Sequence, residues 1–201
     1  MTEPANVVTY LDFAPSAAEA ATPGLKEWAA HSHDQSGASE ARLLREMRRP
    51  ERFALVETWA DPKALHVDQA SGARGPLSTT AGLAAPPDER VGEPFSLGPA
   101  PLAEPGALHV LVHVDVIPFN LEVVGGWLTA QAEAARAASG ALGYDVWRQA
   151  GRPNHFTVIQ VWADDETYAR HVAAPGTHAF RANLLSVKGA LYDERLYRRV
   201  D

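Results

Sequence analysis

The chain has 201 residues, 46% of them hydrophobic and 21% charged, and its formal net charge is −7. This composition is typical of a folded globular protein, and the length suits one large domain or two small ones. An acidic chain without a basic patch is not expected to bind nucleic acid. The sequence contains no cysteine, which excludes disulfides, thiolate nucleophiles and zinc sites built on cysteine.

The sequence also lacks the usual signals of export and membrane insertion. Its first residues, Met1 to Pro4, contain no basic region followed by an apolar one. No apolar run approaches the length of about 18 residues that a membrane-spanning helix needs. We therefore expect a soluble cytoplasmic protein with no membrane partner.

A repeat organises the chain. At an offset of 103 residues, identical residues recur without a gap: Val7 and Val110, Asp12 and Asp115, Pro50 and Pro153, and Trp59 and Trp162. The identities fall on turn residues, helix starts and one tryptophan, where a fold constrains sequence most. We predict two copies of one small domain, residues 1–98 and 107–201, joined by a linker at 99–106 that is rich in proline and glycine.

The first copy is predicted to have weak helices. Pro23 and Gly24 lie inside its first helix, which we expect to start late or to kink there. The stretch Ser71–Pro87 is rich in glycine, alanine and proline, so we expect the second helix region to be degraded to a loop. We therefore interpret the first copy as degenerate.

The second copy has clearer patterns. Its predicted elements are a strand at 109–116, a helix from Asn120 to about Ala138, a hairpin of strands at 144–149 and 155–162, a helix capped by Asp164, a further helical stretch after Pro175-Gly176, and a strand at 191–200. The order β-α-β-β-α-β is that of a ferredoxin-like domain.

One face of such a sheet is covered by the two helices, and the other face needs an apolar partner. We therefore predict an α+β protein in which two tandem ferredoxin-like domains form a pseudo-dimeric α+β barrel. Exchange with a second chain, which would give a homodimer, is the alternative.

One segment of the second copy resembles a known family. The run from Asn154 to His171, NHFTVIQVWADDETYARH, is similar to the signature of the antibiotic biosynthesis monooxygenase family. In that signature an apolar strand ends in tryptophan, a capped helix follows, and a histidine and a second histidine or aromatic residue come after it. Here these are Trp162, His171 and His178. The first copy keeps Trp59 but has Asp68 and Gly75 opposite the two histidines.

The resemblance implies oxidation of a small aromatic phenol or quinol by dioxygen, without metal or flavin. Such chemistry needs a base, hydrogen bonds to the substrate anion and a dry apolar cavity. The candidate catalytic residues are His171, His178 and His113. The candidate substrate-binding residues are Tyr144, Trp147, Trp162, Phe180 and Asp115.

Each candidate also has a structural interpretation. His171 would pack beside an aromatic residue, and His178 would cap a helical turn. His113 and Asp115 lie two residues apart on one strand, where they would form either an oriented His–Asp pair or a surface pair. Trp162 recurs as Trp59, which favours a core anchor.

We expect no metal and no cofactor. The HExxH pattern of helical zinc sites is absent, and the spacing of His171 and His178 does not replace it. Two functional hypotheses therefore remain. The second copy would be a cofactor-independent monooxygenase with the first copy as its partner, or the chain would be a non-catalytic small-molecule-binding or structural protein that kept the fold.

Overall fold

The computed structural model describes residues 3–35, 37–71, 80–99, 106–187, 189–190 and 192–200. The chain divides into two compact units. The first unit comprises Met1–Glu93 and Arg198–Asp201, and the second unit comprises Pro94–Tyr197. The predicted linker lies outside the described residues except for Pro99 and Gly106, and the predicted domain bounds stay a prediction.

The first unit is built on an antiparallel sheet with the strand order β2-β3-β1-β4. Its elements are β1 (Ala5–Asp12), α1 (Ala18–His33), β2 (Ala38–Glu46), β3 (Arg52–Trp59), α2 (Pro62–Ala70) and β4 (Asp88–Ser96). This is the predicted β-α-β-β-α-β order.

Of the two expectations for helix α1, the late start is wrong, and the kink at Pro23 stays a prediction. It begins at Ala18, and Pro23 lies inside it. Proline removes one backbone hydrogen bond from a helix interior, but the face formed by Ala18, Ala21 and Leu25 is buried. Burial of this apolar face stabilises a first turn that proline alone would weaken.

The second helix region of the first unit is partly retained. Asp61 caps α2 by accepting hydrogen bonds from the backbone N–H groups of Lys63 and Ala64, at 2.9 and 2.8 Å. The cap and the proline at the first helical position start the helix despite its short length. Residues 80–87 form turns and irregular structure, as predicted, and 72–79 lie outside the described residues.

The second unit has a matching antiparallel sheet with the order β6-β7-β5-β8. Its elements are β5 (Leu108–Asp115), a 3-10 turn (Pro118–Asn120), α3 (Leu121–Arg136), β6 (Ala141–Gln149), β7 (His155–Trp162), α4 (Asp165–Ala173), α5 (Pro175–Leu185) and β8 (Asp193–Arg199). The α+β class and the two ferredoxin-like units are therefore confirmed. Asn120 precedes α3, but its side chain makes no capping hydrogen bond.

The connection from α3 to β6 requires a glycine. Gly140 has a φ of +83°, and a Cβ atom at this position would lie 2.3 Å from Cγ2 of Thr167. Both the backbone conformation and the close approach of α4 exclude a side chain here. This close contact places the first turn of α4 against the connection between α3 and β6.

One apolar cluster joins the helices of the second unit to one face of its sheet. It contains Val110, Val112 and Val114 of β5, together with Phe156, Val158 and Trp162 of β7. The pairing register places Tyr144 of β6 and Glu194 of β8 on this same helix-facing side. His113 and Trp147 lie on the opposite face, because side chains alternate along a strand.

Within the described part of the chain, no helix is both long and apolar enough to cross a membrane.

Candidate functional site

Three of the candidate residues come together in the second unit. His171 of α4 is 8% exposed. Its ring centroid lies 4.5 Å from that of Trp162 and 6.1 Å from that of Tyr144. Tyr168 and His171 lie three residues apart, on one side of α4, and both are buried. This group of aromatic rings lies between the sheet and the helices.

The start of α4 orients His171. Asp164 accepts a hydrogen bond from the Thr167 backbone N–H at 2.7 Å, and Thr167 Oγ1 accepts one from the Asp164 N–H at 3.2 Å. This reciprocal capping box determines where the helix begins. The residues that follow at helical spacing, Tyr168 and His171, are thereby directed toward the sheet.

His171 has a buried polar neighbour. Nε2 of Gln131 lies 3.5 Å from Nε2 of His171 and donates to Oγ1 of Thr177 at 3.1 Å. Burial, with a smaller effect of the Arg181 charge, lowers the pKa of His171 from 6.5 to about 4. The imidazole is therefore neutral near pH 7, and it is a weaker base than an exposed histidine.

We expect this lowered pKa to make the protein less stable in acid. The unfolded chain binds a proton at His171 near pH 6.5 and the folded chain only near pH 4, so stability is lost as the pH falls through this window. Between pH 7.5 and pH 5.0 the loss should be about 2 kcal/mol. Urea unfolding of the wild type and of His171→Gln at both pH values measures it. Equal pH dependence of the two proteins would contradict the assignment.

A second polar group centres on Glu194 of β8. Its Oε1 accepts a hydrogen bond from the Tyr168 hydroxyl at 2.5 Å. Its Oε2 accepts from Arg181 at 2.6 Å and from the Tyr192 hydroxyl at 3.1 Å. The Arg181 guanidinium also lies over the Tyr192 ring, 5.5 Å from its centroid. Burial and the Glu194 charge raise the pKa of Tyr168 and Tyr192, so both remain hydrogen-bond donors.

Tyr144 is a buried phenol beside His171. Its side chain is 3% exposed, and its ring centroid lies 6.1 Å from that of His171. Burial, followed by the Glu194 charge, raises its pKa, so the group stays a neutral hydrogen-bond donor.

Two cavities adjoin these groups. The first has a volume of about 240 Å³ and is lined by His113, Val114, Asp115, Arg181, Leu184, Leu185, Ala190 and Tyr192. The second has a volume of about 340 Å³, and its lining includes Gln131, His171 and Thr177. The first cavity is mostly apolar, with Arg181 and Tyr192 supplying the contact to Glu194. It has the composition of a small-molecule site: apolar walls and a few polar groups.

The remaining candidates are placed apart from His171. His178 is exposed at the start of α5, and Phe180 packs in the apolar cluster. His113 lies on the opposite face of the sheet, with Nδ1 3.3 Å from Oγ1 of Thr157. The three candidate histidines therefore do not share one pocket. Trp147 is buried on that opposite face as well.

Asp115 has neighbours that the sequence did not suggest. Its Oδ1 accepts a hydrogen bond from Asn154 at 3.3 Å and lies 3.6 Å from Nε2 of His155.

Trp162 is fully buried, as the core interpretation expected, and it donates to Oε1 of Gln160 at 3.0 Å. Its indole nevertheless contacts His171, so the core role and the site role coincide.

The group around Glu194 was not among the candidates that the sequence offered. A signal was present, because Tyr192 and Glu194 lie two residues apart and project to one side of an extended segment. Nothing in the sequence connected them to Arg181 of α5.

Among the described residues, no group of three or more metal-ligating side chains is placed to hold a metal ion.

Comparison with known proteins supports the recognised family. Residues 107–183 match the sequence model of the family described as antibiotic biosynthesis monooxygenase. No curated protein matches the sequence. The second unit thus carries the domain whose signature the sequence resembles, and the resemblance is confirmed.

Solved structures share the fold of the whole chain. A proposed monooxygenase from Fusobacterium nucleatum subsp. nucleatum has a TM-score of 0.86 and 12% identity, and the match covers 100% of this chain and 94% of that chain. A proposed monooxygenase from Lactobacillus acidophilus has a TM-score of 0.77, 15% identity and coverage of 98% and 94%. An anthrone oxidase-like protein has a TM-score of 0.74, 11% identity and coverage of 99% and 92%. At these identities the likeness shows the fold alone.

Proposed function

We propose, from the antibiotic biosynthesis monooxygenase domain that the second unit carries, that this chain is a cofactor-independent monooxygenase that oxidises a small phenol or quinol with dioxygen. The observation that carries the proposal is the apolar cavity of about 240 Å³ with Arg181 and Tyr192 in its wall. Both residues contact the Glu194 carboxylate, so the cavity combines apolar walls with one anchored cation.

The reaction needs no outside reductant. A phenol with a free para position loses two hydrogen atoms and gains one oxygen atom, which gives a quinone. The second oxygen atom of dioxygen leaves with those two hydrogen atoms as water. All the electrons come from the substrate, and the phenolate is the form that donates them most readily. The protein must therefore favour the phenolate and keep water away from it.

Arg181 suits the first task. A guanidinium beside a phenol lowers the pKa of the phenol, because it stabilises the anion. Glu194 holds the guanidinium in place through the 2.6 Å hydrogen bond. The apolar walls formed by Val114 and Leu184 serve the second task, since a dry surround strengthens the attraction between cation and phenolate.

His171 receives a different role from the one that the sequence suggested. With a pKa of about 4 it is neutral near pH 7 but too weak a base to collect the proton of a phenol efficiently. We assign it to positioning, through its contacts with Trp162 and Gln131. On this assignment kcat/KM should keep rising with pH above neutrality as the substrate ionises.

For the alternative, a non-catalytic binding protein, we expect a cavity in the second unit on which no polar group converges. Arg181 and Tyr192 line the observed cavity, which favours the catalytic proposal. A binding protein would still take up the same aromatic compounds. Oxygen consumption therefore separates the two functions.

The test is oxygen uptake with a panel of phenols and quinols of one to three rings, without added metal or reductant. 1-Naphthol is the most informative substrate, because its conversion to a quinone requires insertion of an oxygen atom. We expect one dioxygen consumed for each quinone formed, and no accumulation of hydrogen peroxide. Uptake no faster than with heat-denatured protein across the whole panel would disprove the proposal.

A further inference from the structure

The second unit has a further cavity, which the proposed reaction leaves free. It has a volume of about 340 Å³ and is lined by residues of α3, α4 and the start of α5. Three of the lining residues are exposed, namely Ala134, Arg170 and Gly176, whereas His171 is only 8% exposed. A solute can therefore enter from the surface and reach a buried imidazole.

Four polar side chains that line this cavity are buried. Each is at most 8% exposed: Gln131, Thr167, His171 and Thr177. Thr167 belongs to the capping box of α4, and Gln131 donates to Thr177 at 3.1 Å. Among the described residues, the one hydrogen-bonding neighbour of His171 is Gln131 at 3.5 Å, which is longer than the ordinary range of about 2.7–3.2 Å. The imidazole is thus a buried polar group whose hydrogen bonding the protein leaves incomplete.

Smaller residues stand in this region of the second unit than in the first. At the 103-residue offset, Gln131 and Ala134 correspond to Trp28 and His31. In the first unit the centroids of these two rings lie 6.0 Å apart, and Trp28 is 9% exposed. An amide and a methyl group in place of two rings leave room beside His171 in the second unit.

The charges around the cavity favour an anion. Arg170 lines it and donates to the exposed Glu166 at 2.6 Å. An exposed pair of this kind is weak, so a second carboxylate can share the guanidinium. Among the described residues that line the cavity, none carries a carboxylate. In the first unit, Val67 and Asp68 stand at the positions of Arg170 and His171, so the cation belongs to the second unit alone.

The first turn of α5 adds hydrogen-bond donors. The helix has 11 residues, its N-cap residue Ala174 makes no side-chain cap, and Pro175 has no N–H. The N–H groups of Gly176 and Thr177 precede the first intrahelical hydrogen bonds, and both residues line the cavity. The helix dipole favours an anion at this end. A helix start alone would not define a site, but this one borders a cavity with a buried imidazole.

We propose that the second unit binds a small carboxylate with a compact apolar body in this cavity, with its oxygens at Gly176, Thr177 and Arg170. Carboxylate oxygens only accept hydrogen bonds, so they suit adjacent N–H groups and a guanidinium. A neutral imidazole keeps one N–H, which His171 can donate to the same ligand. The apolar body would lie against the alanines of the lining, which are Ala134, Ala135, Ala138 and Ala174.

Benzoate is the probe, and backbone amide signals of the isotopically labelled full chain report where it binds. We expect saturable shifts of the Gly176 and Thr177 signals. Benzamide, which has the same ring without the charge, should bind at least about tenfold more weakly. Arg170→Gln should raise the benzoate Kd about tenfold, since one charge-assisted hydrogen bond is lost. Ala134→Phe should block the exposed side of the cavity and abolish the shifts.

Two control variants match these substitutions. Arg152→Gln removes an exposed arginine from the turn between β6 and β7. Ala169→Phe adds the same ring at an exposed position of α4 that is not part of the lining. Both should leave the benzoate Kd unchanged. Because all four positions are exposed, none of the variants is expected to impair folding.

Four outcomes would overturn the proposal. The Gly176 and Thr177 signals would not shift saturably, or the shifts would be confined to Ala190 and Tyr192, which line the other cavity. Benzamide would bind as tightly as benzoate, or Arg170→Gln would leave the Kd unchanged. The measurement involves no oxygen uptake, so its result is independent of the activity proposed for the second unit.

Discussion

Replacement of Arg181 by methionine is expected to lower kcat/KM for oxygen uptake with 1-naphthol about 100-fold, which is the effect of removing one preorganised charge-stabilising donor in other enzymes. Arg181 lines the apolar cavity, and methionine keeps much of its length while removing the charge. Without the guanidinium, the phenolate loses its stabilising cation. The measurement is the initial rate of oxygen consumption over a range of substrate concentrations.

Two variants make this result interpretable. Loss of Arg181 leaves the Glu194 carboxylate without its cation, which would destabilise the fold. The double variant Arg181→Met with Glu194→Gln removes both charges, and we expect it to be better folded and equally inactive. Arg152→Met removes an exposed arginine in the turn between β6 and β7 and should keep wild-type activity. Activity within threefold of wild type in a folded Arg181→Met protein would rule out the assigned role.

Replacement of Trp162 by alanine is expected to lower the free energy of unfolding by about 3–5 kcal/mol, the usual range for a large aromatic residue removed from a core. Trp162 is 0% exposed, packs in the main cluster of the second unit, and contacts both His171 and Tyr168. Its loss also leaves the buried Gln160 side chain without the 3.0 Å hydrogen bond. Urea unfolding measured at pH 7.5 gives the difference.

Trp127→Ala provides the comparison within the same unit. Trp127 lies on α3 and is only partly buried against the cluster. Less apolar surface returns to water when it is removed, so we expect less than half the effect of Trp162→Ala. Similar effects of the two substitutions would contradict the central packing role of Trp162.

Local patterns in the sequence were sufficient for most of the fold. The many β-branched and aromatic residues located β7 at His155–Trp162, and Asp164 was recognised as the cap of α4. The break at Pro175 separates α4 from α5 as predicted. Where local signals opposed burial, as at Pro23 in α1, packing of the apolar face prevailed.

The candidate site was only partly predictable. The burial of His171 beside an aromatic residue followed from helical spacing within α4. The separation of His113 from His171 did not, because alternation shows that a strand has two faces but does not tell which one the helices cover. The lowered pKa of His171 was not predictable either, since it depends on surroundings that the sequence does not display.

The sequence by itself determined the repeat, the order of strands and helices, and the recognised domain. The elements and the domain signature depend on residues that are close along the chain, and the repeat is visible as identities at a fixed offset. Only the tertiary structure decided which groups meet. Tyr168, Arg181 and Glu194 come from α4, α5 and β8. Each of these residues fits its own helix or strand without the other two, so the local sequence does not reveal that they meet. Their contact depends on how the helices pack on the sheet.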